Sequence, residues 1–160
     1  MAVAYVEIDG VPGESTNDAH KNWIEIEDIS HSMQQRGSQS AGTGTMVADR
    51  AGSSPYRIWK RIDKSSPILM EHCLAGDHLK KLKIEMVRVS NGQTETYMEV
   101  NLEDAIVTDV QVNVNGKGDV GEWVSFLPQK IKWNYTAHKN GKAQGNTPGG
   151  WDYSIDKKYT

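Results

Sequence analysis

Asp63-Lys64-Ser65-Ser66-Pro67-Ile68-Leu69-Met70-Glu71-His72-Cys73-Leu74-Ala75-Gly76 spells a short helix in a chain that otherwise reads as β-strand. The Ser66 hydroxyl can accept a hydrogen bond from an unpaired first-turn N–H, which makes it the expected N-cap. Pro67 then falls at the first helical position, where its missing N–H costs nothing. Leu69 with Cys73, and Met70 with Leu74, are spaced i,i+4 and make one apolar stripe. Gly76 can adopt the left-handed conformation that closes a helix. The stretch therefore predicts one helix from Ser66 to Ala75, with Leu69, Met70, Cys73 and Leu74 as scaffold against the side or end of a β structure.

Both flanks supply the strands. Ala4, Val6 and Ile8 share a phase, and Gly10-Val11-Pro12-Gly13 interrupts the run. Ile24 and Ile26 share a face, but Ile29 and Met33 fall on the opposite phase. An unbroken strand cannot do that, so a bulge or bend is expected near Glu27–Asp28. After the helix, Leu82, Ile84 and Met86 alternate with polar residues, as do Met98, Val100 and Leu102. The Ser90-Asn91-Gly92-Gln93 stretch between them is a type I′ hairpin signal. Ile106, Val110, Val112 and Val114 share a face up to a turn at Gly116–Gly118, and the strand from Trp123 to Leu127 follows. Ile131, Trp133, Tyr135 and Ala137 read as the inner face of another strand. A Gly/Pro loop at 145–150 is expected next, with Trp151, Tyr153 and Ile155 in a last short strand. The total is about eight or nine strands with antiparallel connections, a mainly β fold, and a small barrel or two-sheet sandwich flanked by one helix.

Residues 36–54 stand apart. Arg36-Gly37-Ser38-Gln39-Ser40-Ala41-Gly42-Thr43-Gly44-Thr45 and the residues up to Ser54 are small, polar and glycine-rich. Nothing there demands burial, and a structureless connection of this length inside a compact domain is expected to be functional or ordered by a partner.

The 160 residues suit one domain over 1–160, large enough to bury roughly 68–70% of the unfolded surface without staples. A single cysteine, Cys73, excludes an internal disulfide. A net charge of −3 offers no basic footprint for nucleic acid. Lys80, Lys81 and Lys83 read as a solvated strand edge. No stretch is long and apolar enough to insert in a membrane, and Met1 to Asp9 lacks the features of a secretory signal, so synthesis and folding in the cytosol are expected.

Motifs for chemistry are sparse. His72, Cys73 and His78 match no zinc spacing, and Gly42-Thr43-Gly44 lacks the third glycine of a nucleotide fingerprint, so no metal and no cofactor is expected. Glu25 and Glu27 project from one strand face, a pattern shared by solvated faces and by paired catalytic carboxylates. Trp23, Trp59, Trp123 and Trp151 could serve a core, an interface or a sugar platform, although no polar cluster is visible around them in the linear sequence. A stand-alone β-sandwich module that binds carbohydrate through exposed tryptophans is the alternative reading.

The chain resembles the Hcp family, the haemolysin-coregulated proteins of the type VI secretion tube. The resemblance is carried by Gly13-Glu14-Ser15 with His20, by Trp23-Ile24-Glu25-Ile26, and by Ser30-His31. It continues in Asp63 through Ser66-Pro67, Leu69 and Gly76. Tyr97, Leu102-Glu103-Asp104-Ala105-Ile106-Val107 and Lys130-Ile131-Lys132-Trp133-Asn134-Tyr135 complete it. It implies a non-enzymatic homohexameric ring that stacks into a tube, contacts a spike protein and a contractile sheath, and carries or chaperones small effector proteins in its lumen. It also implies export of a cytosolic protein without a signal peptide. On that resemblance, Ser30 and Ser32 become candidate lumen residues, and Arg36, Asp49 and Arg50 candidate ring–ring contacts.

Overall fold

The computed structural model describes residues 2–39 and 42–160. Strands alternate along almost the whole chain: β1 Ala4–Ile8, β2 Ile24–Ile26, β3 Asp28–Ser30, β4 Met33–Gln34, β5 Gly37–Gln39, β6 Met46–Ala48, β7 Gly52–Ser53 and β8 Tyr56–Lys60. Helix α1, Ser65–Ala75, follows. Then come β9 His78–Ser90, β10 Gln93–Val114, β11 Val120–Leu127, β12 Lys130–Lys139, β13 Lys142–Asp152 and β14 Lys157–Lys158. All pairings are antiparallel.

Two strands make the body a barrel-like sandwich by bending from one layer into the other. β10 is one continuous strand where sequence alone suggested two. Its first half pairs with β9 and β12, and its second half with β11. The change of partner falls at Asp104, which takes a φ of 49°, a conformation that Asp tolerates better than most residues. On the other side β2 pairs with β1, and β3 pairs with β8. The break between them is at Glu27, whose N–H bonds Trp59 O at 2.9 Å, so the expected bend near Glu27–Asp28 is present. The core fills the space between the layers: Ala4, Val6, Ile24, Ile26, Leu82, Ile84, Val100, Leu102 and Ile131 from one, with Tyr56, Ile58, Val107, Val124 and Phe126 from the other.

The helix is where expected but is capped differently. Ser66 is not the N-cap. It is the second helical residue, and Pro67 the third. Asp63 does the capping, its Oδ1 accepting from Ser65 N at 2.9 Å and from the Ser65 hydroxyl. Ser66 is instead drawn inward by a buried ion pair described below. Gly76 closes the helix at φ 70°, with its N–H bonded to His72 O. The apolar stripe is narrower than its spacing implies. Leu69 is fully buried, Ile68 and Cys73 pack against the core, Met70 is half-buried, and Leu74 is 89% exposed. Leu74 is therefore not scaffold in this protomer: α1 packs on β10 through Leu69 and its neighbours, and Leu74 points away from that contact.

Other departures have similar causes. Residues 145–150 are not a loop but part of β13, paired along β12 from Lys130↔Asp152 to Lys139↔Lys142. Proline and glycine are tolerated there because β13 is an edge over most of its length. Trp133 packs against the core but is only half-buried, and Tyr135 is exposed. The Asn91-Gly92 turn forms as expected, with φ of 51° and 77°.

Candidate functional site

The segment expected to be structureless is a two-stranded arm. β4 pairs with β7 at its root and β5 with β6 farther out. Small polar residues make poor cores but accept an extended ladder, because the backbone bonds need no side-chain burial. Arg36 and Asp49 face one another where the two ladders join: Asp49 N donates to Arg36 O at 2.9 Å, and Gln35 Nε2 donates to both carbonyls. The Arg50 guanidinium leaves the arm and donates to Tyr153 O of the body. The three candidates Arg36, Asp49 and Arg50 are thus one cluster at mid-arm. A two-stranded ribbon with no covering layer is marginal in water. This one also exposes Met33, Val47 and, at 80%, Met46. Unpaired backbone edges and exposed apolar side chains give a surface suited to docking.

Ser30 and Ser32 are not equivalent. Ser30 ends β3, exposed and in register with Arg57. Ser32 belongs to the arm root, where its N–H bonds Ser54 Oγ at 2.9 Å and its carbonyl accepts from Ser54 N at 2.8 Å. Between them His31 stacks on Tyr56 at 4.5 Å. Burial holds the His31 pKa below its ordinary value against the opposing effect of a bond with the Ser54 backbone, and its buried Nε2 has no hydrogen-bond partner among the described residues. The neutral ring is therefore the form this joint accommodates. Burial, with Tyr97 nearby, pushes the Tyr56 phenol up to about 12.

Two buried clusters were not anticipated. Lys60 and Glu122 are both fully buried, with Nζ 2.6 Å from Oε1. Ser66 Oγ accepts from Lys60 Nζ and from Asp63 N, each at 3.0 Å, and donates to Glu122 Oε1 at 2.7 Å. Asp63 Oδ1 lies 3.0 Å from the same ammonium. The signal was present in the sequence: Lys60 follows Tyr56 and Ile58 in the inward phase, and Glu122 precedes Val124 and Phe126 in theirs. This network locks the start of α1 to β8 and β11.

The second cluster centres on His20, buried and stacked on Tyr5 at 4.3 Å, with its Nε2 2.7 Å from Glu85 Oε2. Burial works to raise the Glu85 pKa. Hydrogen bonds from Lys83, His20 and Thr96 outweigh it and hold the carboxyl below its ordinary value. The first cluster is enclosed and the second is open to solvent only on its Lys83 side, and both act as fasteners. Glu25 and Glu27 border a shallow depression with Arg61, which holds Glu27 Oε1 at 2.7 Å. That ion pair accounts for one of the two carboxylates without any chemistry.

The fold is a two-layer antiparallel β body with one flanking helix and a projecting two-stranded arm, and comparisons with known proteins show its family. The family model described as "Type VI secretion system effector, Hcp" matches residues 5–135. The "Major exported protein" of Pseudomonas aeruginosa is 29% identical over 133 residues, which cover 77% of this chain and 74% of that protein. A solved "type six secretion system protein" superposes with a TM-score of 0.90 at 26% identity, covering 99% of this chain and 100% of the other. Hcp1 from Salmonella typhimurium superposes at 0.79 with 26% identity, over 99% and 100% of the two chains. The chain belongs to the Hcp family, whose members are secreted tube proteins and not enzymes.

Proposed function

We propose that this chain is a subunit of the inner tube of a type VI secretion system. Six copies form a ring, rings stack through the arm, and contraction of a surrounding sheath expels the tube behind a spike protein. The chain acts as one domain over 1–160, with residues 36–54 as an extended docking segment. Arg36, Asp49 and Arg50 make ring–ring contacts from mid-arm. Ser30 faces the lumen, where small effector proteins are carried or chaperoned, and Ser32 lies beside it at the arm root.

The observation that carries this reading is the arm itself: an extended ribbon with exposed Met46 and Val47 and no second layer of its own. Such a ribbon gains a covering layer when it lies on a different copy. A contact between two unlike surfaces of one chain closes into a ring when its rotation allows and otherwise propagates as a stack. Negative-stain imaging of the purified protein tests it. Sixfold rings are expected, and particles that stay monomeric at high concentration would overturn it.

A further inference from the structure

The outward face of β3, β8 and β11, which also carries Ser30, holds a cleft to which the tube reading assigns no ligand. Alternation sends Ile58, Lys60 and Val124 into the core, and Arg57, Trp59 and Trp123 outward. In register, Trp59 lies opposite Trp123 on one side and Asp28 on the other. The two indoles are 5.4 Å apart and inclined by 54°, and the Arg57 guanidinium covers Trp123 at 4.5 Å. Gly121 lets Trp59 lie flat: a Cβ there would stand 2.4 Å from Trp59 Cζ2. The aromatic pair is thus fixed on paired strands.

Against these rings opens a cleft of about 390 Å³, rimmed by Asp28, Asn113, Asn115 and Asp119. That volume falls within the range of small-ligand sites. Asn115 Nδ2 donates to Asp119 Oδ2 at 2.9 Å and braces one edge. Asp28 and Asn113 make no side-chain hydrogen bond to another described residue, which leaves a carboxylate acceptor and an amide beside the indoles. The sequence hid this cluster, because Asp28, Trp59, Asn113 and Trp123 come from four strands.

A twisted pair of indoles edged by planar hydrogen-bonding groups suits a pyranose glycan, whose C–H groups cover its ring faces and whose hydroxyls line its rims. The negative face of an indole attracts such polarised C–H groups. Carboxylates on the rim disfavour an anionic sugar. A cationic peptide side chain would meet the same carboxylates, but the positive Arg57 guanidinium beside Trp123 would repel it, whereas that guanidinium can donate hydrogen bonds to sugar hydroxyls. We infer that this cleft binds a neutral pyranose glycan, with Trp59 and Trp123 as the stacking platform and Asp28 and Asn113 as the hydroxyl contacts. The site does not depend on ring formation, and its failure leaves the tube reading intact.

Saturation-transfer NMR on the whole chain, with chitohexaose, maltohexaose and an arginine-rich hexapeptide as probes, tests the inference. At least one of the two sugars is expected to receive saturation through its ring C–H groups. Trp123→Ala, and separately the outward-facing pair Asp28→Ala with Asn113→Ala, should each weaken that sugar's binding by about tenfold with oligomer size unchanged. No transfer to either sugar, undiminished binding in both variants, or binding of the peptide alone would overturn it.

Discussion

Replacing Lys60 by Met separates a buried ion pair while nearly preserving volume. Lys60 and Glu122 have no solvent exposure, and their charged atoms are 2.6 Å apart. At an effective dielectric near 20, attraction at that distance is about 6 kcal/mol, and desolvating two ions costs several kcal/mol each. The intact pair is therefore close to neutral in net stability, but one partner left alone is not. In Lys60→Met the Glu122 carboxylate keeps Ser66 as its only hydrogen-bond donor among the described residues, where its Oε2 already lacks one. The single variant should lose about 3–5 kcal/mol. For a chain of this size each kcal/mol moves the midpoint by about 2–4 °C, so a fall of roughly 6–20 °C is expected at fixed protomer concentration. Adding Glu122→Leu removes the fully buried stranded charge and leaves the partly exposed Asp63 carboxylate, so the double variant should recover most of the loss. Urea unfolding followed by circular dichroism, run as a double-mutant cycle, measures the coupling. A single variant within about 1 kcal/mol of the parent, or a double variant as unstable as the sum of its singles, would refute the reasoning.

Three further outcomes follow from the same geometry. Gly121→Ala places a methyl on the Trp59 ring and 2.9 Å from Lys60 O; thermal melts should show a loss of about 1–3 kcal/mol. The depressed Glu85 pKa contributes stability that is present above the unfolded carboxyl pKa and lost as pH falls through the lower folded value. Glu85→Gln should therefore flatten the acidic limb of a stability-versus-pH curve, and an unchanged limb would assign the acid transition to other groups. Leu74→Gln should leave protomer stability within about 0.5 kcal/mol in denaturant titrations, because the leucine meets almost nothing; a loss near 2 kcal/mol would mean that it packs.

Much of the fold was legible because its signals are local. The helix needed only Pro67, Gly76 and the spacing between them, the hairpin only Asn91-Gly92, and the Glu27 bend only a phase change. What escaped depends on residues distant in sequence. Ser66 reads as a cap until Glu122 takes its hydroxyl, and Asp63 then does the capping. Leu74 fits the stripe by spacing, but the side of α1 that meets the core is set by Ile68, Leu69 and Cys73, which the spacing alone does not fix. The arm and residues 145–150 are strands held by backbone pairing, so their small residues leave no periodic trace. The candidate positions are spread unevenly over the structure for the same reason. Arg36, Asp49 and Arg50 fall together because the hairpin folds back on itself, whereas Ser30 and Ser32 are divided by the end of β3. The tryptophan cleft was visible only as unassigned aromatics.

Electron microscopy of the full chain at high protein concentration, with class averages examined for rotational symmetry, tests the central claim most directly. Sixfold rings that stack in the parent, and that stay separate when Met46 and Val47 are both changed to Asp, are the predicted result. A parent that yields only monomers, or stacks that persist without the apolar arm residues, would contradict it.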